Sequence, residues 1–244
     1  MSGRGALLLL LAASFTALAA EPLPVARFSA AAPGGPPEGW SPFSFAKFPR
    51  HTDYRLVSDG GTTVLRAEAD ASVSALLRQV KADPRALPVM RWRWKVDNVI
   101  AKGNLRRKEG DDFPARIYVL FDYDPDRLSL ADRAKILLAR VVHGAQVPAA
   151  ALCYVWDNAS APGTILPNAY TDRVRMVVAR SGTADLGRWV TEERNIARDF
   201  RAAFGEDPPM ISGIVIAADT DNTGERAVAW FGDISLHPAS GTGQ

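Results

Sequence analysis

The sequence predicts an all-β fold, a jelly-roll-like β-sandwich of two antiparallel sheets with two short helices in its connections. Three observations predict it. First, "RWRWKV" (Arg91 to Val96) alternates residue by residue, with Trp92, Trp94 and Val96 on one side and Arg91, Arg93 and Lys95 on the other. That is the period of a half-buried strand, aromatic inward and cationic outward. Second, "ARIYVLFDY" (Ala115 to Tyr123) is apolar at both parities, as a strand covered on both faces should be. Third, "VARFS", "TTVLRAEAD", "SALLRQVKA", "ALCYVWD", "VRMVVAR", "RWVTEERN", "SGIVIAAD" and "RAVAWFGDISL" are short, rich in Val, Ile and aromatics, and separated by Pro, Gly, Asn and Asp. Many short strands with few helical stretches indicate a sandwich.

Taken from its start, "MSGRGALLLLLAASFTALAA" reads as a secretory signal peptide over residues 1–20. Arg4 supplies the basic end, Ala6 to Leu18 the apolar centre and Ala17-Leu18-Ala19 the small-x-small cleavage pattern. The apolar run is short for a membrane anchor, and no Cys follows it for lipid attachment. Residues 21–244 are expected to form one domain, periplasmic or secreted, with no integral membrane segment. "AAAPGGPPEGWSP" and "DNVIAKGNLRRKEGDDFP" read as loops, and the second is long enough to form a rim or lid. "SLADRAKILLARVVHG" predicts a helix from Ser129, a good N-cap, to Gly144. "ARDFRAAFG" predicts a second, short one ended by Gly205, with Pro208-Pro209 preventing continuation.

Composition narrows the function classes. With 47% hydrophobic and 23% charged residues the chain belongs with folded globular proteins. The formal charge of +2 falls to +1 once Arg4 is removed, which gives no electrostatic reason to expect nucleic acid or a membrane surface as partner. Cys153 is the single cysteine, so no internal disulfide can form and stability must come from the core. Set in "ALCYVWD", it reads as a buried small hydrophobe rather than a nucleophile. Nucleophile-elbow, zincin, P-loop and dinucleotide signatures are all missing from the sequence.

Three groupings of residues could carry chemistry. Asp219-Thr220-Asp221-Asn222-Thr223-Gly224 fits positions one, three and six of a calcium loop, but Trp230 stands where the closing Glu belongs. It reads first as a turn between strands, in which Asp and Asn accept backbone N–H groups. A structural calcium ion shared with another loop is the alternative; no other cofactor is expected. In "GDDFPARIYVLF", Arg116 shares parity with Asp112 along a strand covered on both faces. A buried guanidinium needs a carboxylate, and Asp111, Asp112, Asp219 and Asp221 are the candidates. The third grouping is aromatic and polar: Tyr154, Trp156, Asn168, Tyr170, Thr171, Trp189 and Trp230. Aromatic faces beside Asn, Asp and Arg suit sugar rings, and Trp156, next to Asp157-Asn158, is the expected platform.

The segments "FSAAAPGGPPEGWSPFSF", "MRWRWKVDNV", "GDDFPARIYVLF", "LCYVW", "NAYTDRVRMVV", "GRWVTEERNIARDFRAAFGEDPP" and "ISGIVIAADTDNTGERAVAWFGDI" together resemble the domain-of-unknown-function 3047 family of exported bacterial proteins. The resemblance implies an exported single-domain protein and no particular activity. The two ends, "GW" after a Phe-containing strand and the closing "FGDISL", also resemble jelly-roll carbohydrate-binding (galactose-binding-like) modules. That likeness implies a jelly roll with a concave face or loop rim for binding, and it transfers no site.

The leading expectation is a non-catalytic protein that binds a glycan or a similar small polar ligand. Its site would combine Asp111, Asp112, Arg116, Trp156, Asn168, Tyr170, Asp219, Asp221 and Asn222. A polysaccharide-cleaving enzyme is the rival. It needs two carboxylates across a cleft, about 5–10 Å apart, or an Arg/Tyr pair for β-elimination; Glu192, Glu193 and Asp112 are the first candidates. A structural cell-envelope protein, in which the polar cluster only stabilises the fold, is the third reading.

Overall fold

The computed structural model describes residues 20–44, 48–124 and 149–239. The expected signal peptide and the expected helix from Ser129 to Gly144 lie outside them. In chain order the strands are β1 (Leu23–Ala26), β2 (Ser41–Phe43), β3 (Asp53–Asp59), β4 (Thr62–Asp70), β5 (Val73–Ala82), β6 (Val89–Val96), β7 (Arg116–Phe121), β8 (Ala150–Asp157), β9 (Ile165–Pro167), β10 (Val174–Ser181), β11 (Val190–Asn195), β12 (Ile211–Asp219) and β13 (Arg226–His237). One sheet orders its strands β11-β6-β13-β4-β3, with β1 on the far half of β13; the other runs β2-β5-β12-β7-β8-β10-β9.

This order is a jelly roll. Numbering β4, β5, β6, β7, β8, β11, β12 and β13 from one to eight, the first sheet contains one-eight-three-six and the second two-seven-four-five. Pairing is antiparallel except between β8 and β10, which run parallel from Val174 opposite Ala151 to Ser181 opposite Asp157. The excursion through β9, antiparallel to β10, turns the chain so that β10 re-enters in the direction of β8.

The alternation of "RWRWKV" places Trp92 and Trp94 inward on β6, fully covered, and leaves its basic residues on the outer face. The two indoles meet Tyr154 and Trp156 of β8 across the sandwich, at ring-centroid distances of 5.3 Å and 5.9 Å. Such tilted aromatic contacts contribute beyond the area they bury. Helix α1 (Ile196–Phe204) closes one end, with Asn195 Oδ1 accepting from Arg198 N at 2.9 Å as its N-cap. It buries Ile196, Ala197 and Phe200, and its buried Asp199 takes both Tyr154 Oη (3.0 Å) and Arg194 Nε (2.9 Å).

A second, smaller core lies on the outer face of the second sheet. Leu105 and Phe113 of the long 97–115 loop pack there on Cys153 and Val155 of β8 and Met176 and Val178 of β10. Cys153 is thus the buried hydrophobe expected, and burial pushes its thiol up, away from the reactive form. The loop expected as a rim or lid is pinned down: Asn158 Nδ2 donates to the carbonyls of Ile100 (3.0 Å) and Gly103 (2.9 Å). Glu225 accepts from the backbone of Ala101 and Lys102.

Candidate functional site

Arg116 opens β7 with the parity opposite to Ile117 and Val119, so it points to the outer face of its sheet, beneath the 97–115 loop. It is only 2% exposed. Its Nε donates to Asp219 Oδ1 at 2.9 Å, and its Nη2 pairs with the other oxygen of the same carboxylate. Nη2 also donates to Asp111 O (2.6 Å), and Nη1 to Tyr118 Oη (3.0 Å). Every branch of the guanidinium is spoken for inside the protein, as a buried cation requires.

From this pair a continuous chain of contacts runs to the surface. Asp111 faces Arg116 at 3.6 Å and accepts from Asn168 Nδ2 with both oxygens, at 3.1 and 3.0 Å. Asn168 Oδ1 accepts from Tyr170 N at 2.9 Å. Tyr170 Oη lies 2.9 Å from Asn222 Oδ1 and 3.2 Å from Lys108 O, so its one proton goes to one of two carbonyl oxygens. Asn222 donates through Nδ2 to Asp112 Oδ1 (3.1 Å), and Thr223 N donates to Asp112 Oδ2 (2.6 Å). One oxygen each of Asp112, Asp219 and Asp221 can be chosen so that all three lie within 4.8 Å of one another.

The turn after β12 has a local cause for its shape. Thr220, fully buried, is tied to Ser72 through its backbone N (2.9 Å), while Gly224 adopts a left-handed φ of 70° and donates to Thr220 O. With Asp112 gripping Asn222 and Thr223, the segment is the Asx-braced turn that the sequence suggests. Calcium would ask these same oxygens for six or more contacts. Asp112 already accepts N–H donors with both oxygens, and Asp219 is committed to Arg116. The donor set as it stands does not fit that ion.

Burial and like charge raise the carboxyls of Asp111, Asp219 and Asp221. Asp219 is pushed up to about 8, by burial first, against the pull of Arg116. Arg116 is itself held charged by Asp219. The two shifts oppose one another, and the two-pronged geometry favours the ionised pair. Asp221, half-buried, is pushed up to about 6 by burial and then by Asp112. A folded-state value above the ordinary 3.8 of an aspartate means the folded protein holds this proton more tightly than the unfolded chain. The stability from this group is complete below that lower value and is lost as pH rises through the higher one. Asp221→Asn should therefore melt above the wild type at pH 7.5, by about 1 kcal/mol after allowing for solvent screening, and match it near pH 4. Thermal melts across that range check it, and an Asn variant less stable at pH 7.5 would contradict it.

Of the nine expected site residues, eight belong to this network. Trp156 does not. It is fully buried against Trp94, with Nε1 donating to Gly182 O at 3.1 Å, so its ring offers no face to a ligand. Arg116, Asp112 and Asp219 lie beneath the surface and organise the loops rather than reach solvent. The open groups are Asn168, Tyr170, Asp221 and Asn222, while the Asp111 side chain is largely covered. Asp221 also lines a hollow of about 260 Å³ with Phe48, Pro49, Arg50 and Ala71. Two participants escaped the sequence reading of the site: Tyr118, detectable by its shared parity with Arg116, and Lys108, whose Nζ sits 5.2 Å from the Tyr170 ring centre. Glu192 and Glu193 do not form a carboxylate pair. Consecutive on a strand, they point to opposite faces, Glu192 to Arg180 and Trp94 inside and Glu193 to Arg91 outside.

Residues 38–235 match the model of a family described as "Protein of unknown function (DUF3047)". No curated protein matches the chain. Among solved structures, the chain is similar to the family 30 carbohydrate-binding module of a cellulosomal cellulase of Clostridium thermocellum, at 12% identity and a TM-score of 0.39, over 91% of this chain and 99% of that one. It is also similar to a cellulase derived from Cel12A of Rhodothermus marinus, at 12% identity and a TM-score of 0.39, over 84% and 98%. At these TM-scores the likenesses carry no argument, and the fold rests on the strand order above.

Proposed function

Because the chain belongs to the DUF3047 family, whose description assigns no activity, we propose its function from the site itself: non-catalytic binding of a glycan at the Tyr170 end of the sandwich. Tyr170 carries the proposal. It is 55% exposed, and it is the large hydrophobic side chain that stands out to solvent among the described residues. Its hydroxyl is held between Asn222 and Lys108 O, and half-buried amide and carboxylate groups surround it. A ring held in place through its hydroxyl, with hydrogen-bonding groups around it, offers a stacking face for a pyranose and partners for its hydroxyls. Asp221 and the Asn168 and Asn222 amides would accept from or donate to those hydroxyls, with Asp111 holding Asn168 in place. Arg116 keeps the loops that present them in place.

The same reading makes the protein exported, by the N-terminal signal pattern of Arg4 and the apolar run after it. No helix among the described residues is long and apolar enough to cross a membrane. Affinity electrophoresis through gels containing neutral soluble polysaccharides tests the proposal. At least one should retard the wild type, and Tyr170→Ala should weaken that retardation about tenfold, about 1.4 kcal/mol, without release of reducing ends. An exposed ring has little to lose in folding, so the variant's melting should shift by no more than about 0.5 kcal/mol. Retardation unchanged in Tyr170→Ala, or none on any polysaccharide, sinks the proposal.

A further inference from the structure

The outer face of the first sheet holds a different arrangement, far richer in basic groups. Arg91, Arg93 and Lys95 project from β6, Arg66 and Glu68 from β4, Asp53, Arg55 and Asp59 from β3, and Arg226 and Trp230 from β13. Each of Arg55, Arg66, Arg91, Lys95 and Arg226 has a carboxylate partner there: Asp53, Glu68, Glu193, Asp59 and Glu68 respectively. Arg93, in the middle of the row, has none. Its charge is felt by Asp59, but among the described residues no carboxylate comes within ion-pair distance of it.

Arg93 is nevertheless held in a definite place. Its Cζ lies 4.6 Å from the ring centre of Trp189. Its stem crosses β13 at Gly232, where even a methyl group would come within 2.5 Å of Arg93 Cγ. Trp189 is in turn anchored by Nε1 donating to Asp59 Oδ2 at 2.7 Å. Beside it, Lys95 Nζ sits 5.3 Å from the Trp189 ring and 4.4 Å from the Trp230 ring. Both tryptophans are half-buried, and Thr191, opposite Arg93 on β11, is exposed. The result is an oriented guanidinium without a carboxylate partner among the described residues, set among indoles that solvent reaches.

We propose that this face is a second ligand site, for glycans that contain uronic acids. A carboxylate matches the planar fork of Arg93, which a compact ammonium would not. The apolar face of a pyranose suits Trp230 or Trp189, and the Thr191 hydroxyl can bond to a ring substituent. Lys95 adds positive potential without being the binding group, since Asp59 already neutralises it. The site shares no residue with the Tyr170 end and stands or falls separately from it.

Affinity electrophoresis with polygalacturonate, fully methyl-esterified pectin and dextran sulfate tests the proposal. The wild type should be retarded by polygalacturonate and at least tenfold less by the esterified polymer. Arg93→Gln should lose at least tenfold, Arg93→Lys should fall between, and Tyr170→Ala should bind polygalacturonate as the wild type does. Melting curves of Arg93→Gln and Arg93→Lys within a few degrees of the wild type exclude a folding effect, and Trp230→Phe, which keeps a ring, should retain most of the binding. Absence of retardation, equal retardation in Arg93→Gln, or equal retardation by dextran sulfate at matched charge would each overturn it.

Discussion

Replacing Arg116 with Met is expected to cost about 3–5 kcal/mol of stability, on the order of 10 °C in melting temperature for a domain of this size. The reason is what stays behind. Asp219 and Asp111 lose the cation that both face, while Asp112 and Asp221 remain close by. A buried carboxyl without its partner either keeps an uncompensated charge or takes up a proton. The deficit should accordingly shrink toward pH 4, where the unfolded chain also protonates these groups, and widen toward pH 8. The double variant Arg116→Met/Asp219→Leu should recover much of the loss, because removing both partners removes the stranded charge. A single variant as stable as the wild type at pH 7.5 would show that the pair is not what holds these loops.

Trp156→Ala is the second large effect, expected at about 3–5 kcal/mol. The side chain is sealed between the sheets, so its loss leaves a cavity and deprives Gly182 O of a donor. Trp156→Phe should cost distinctly less, since a ring still meets Trp94. Chemical denaturation of both variants decides the matter. If Trp156 were a surface platform, its truncation would change stability by no more than about 0.5 kcal/mol.

The misplacement of Trp156 shows where sequence reading meets its physical limit. Every residue of β8 is buried, because one face meets the first sheet and the other meets the loop carrying Leu105 and Phe113. A strand covered on both sides has no alternation to say which residues face which layer. The polar neighbours of Trp156 suggested solvent, yet Asp157 is itself buried and accepts from the backbone of Ala159 and Ser160. On β6, by contrast, one face is core and the other is solvent, and its alternation was legible in full. β3 passed unnoticed because its outward positions are Asp53, Arg55 and Asp59, although Tyr54 and Leu56 keep the inward rhythm. Strands β2 and β9, three residues each, are too short to show a period.

The candidate site was legible for a different reason. A buried arginine demands a carboxylate, and that single requirement pointed from Arg116 to Asp111, Asp112, Asp219 and Asp221, of which Asp111 and Asp219 pair with it. The turn chemistry of Asp219 to Gly224 supplied the rest. The depth of each group was not legible. Only packing decides that Arg116, Asp112 and Asp219 form a floor while Asn168, Tyr170, Asp221 and Asn222 remain within a ligand's reach.

Backbone amide NMR of the protein, titrated with neutral oligosaccharides released from whichever polysaccharide retards it, tests the binding claim most directly. Shifts are expected at residues 108–112, 168–171 and 220–224, saturating together, with β6 and the β13 strand at Trp230 unmoved. Saturable shifts confined to some other surface, with Tyr170 and Asn222 unaffected, would contradict the account.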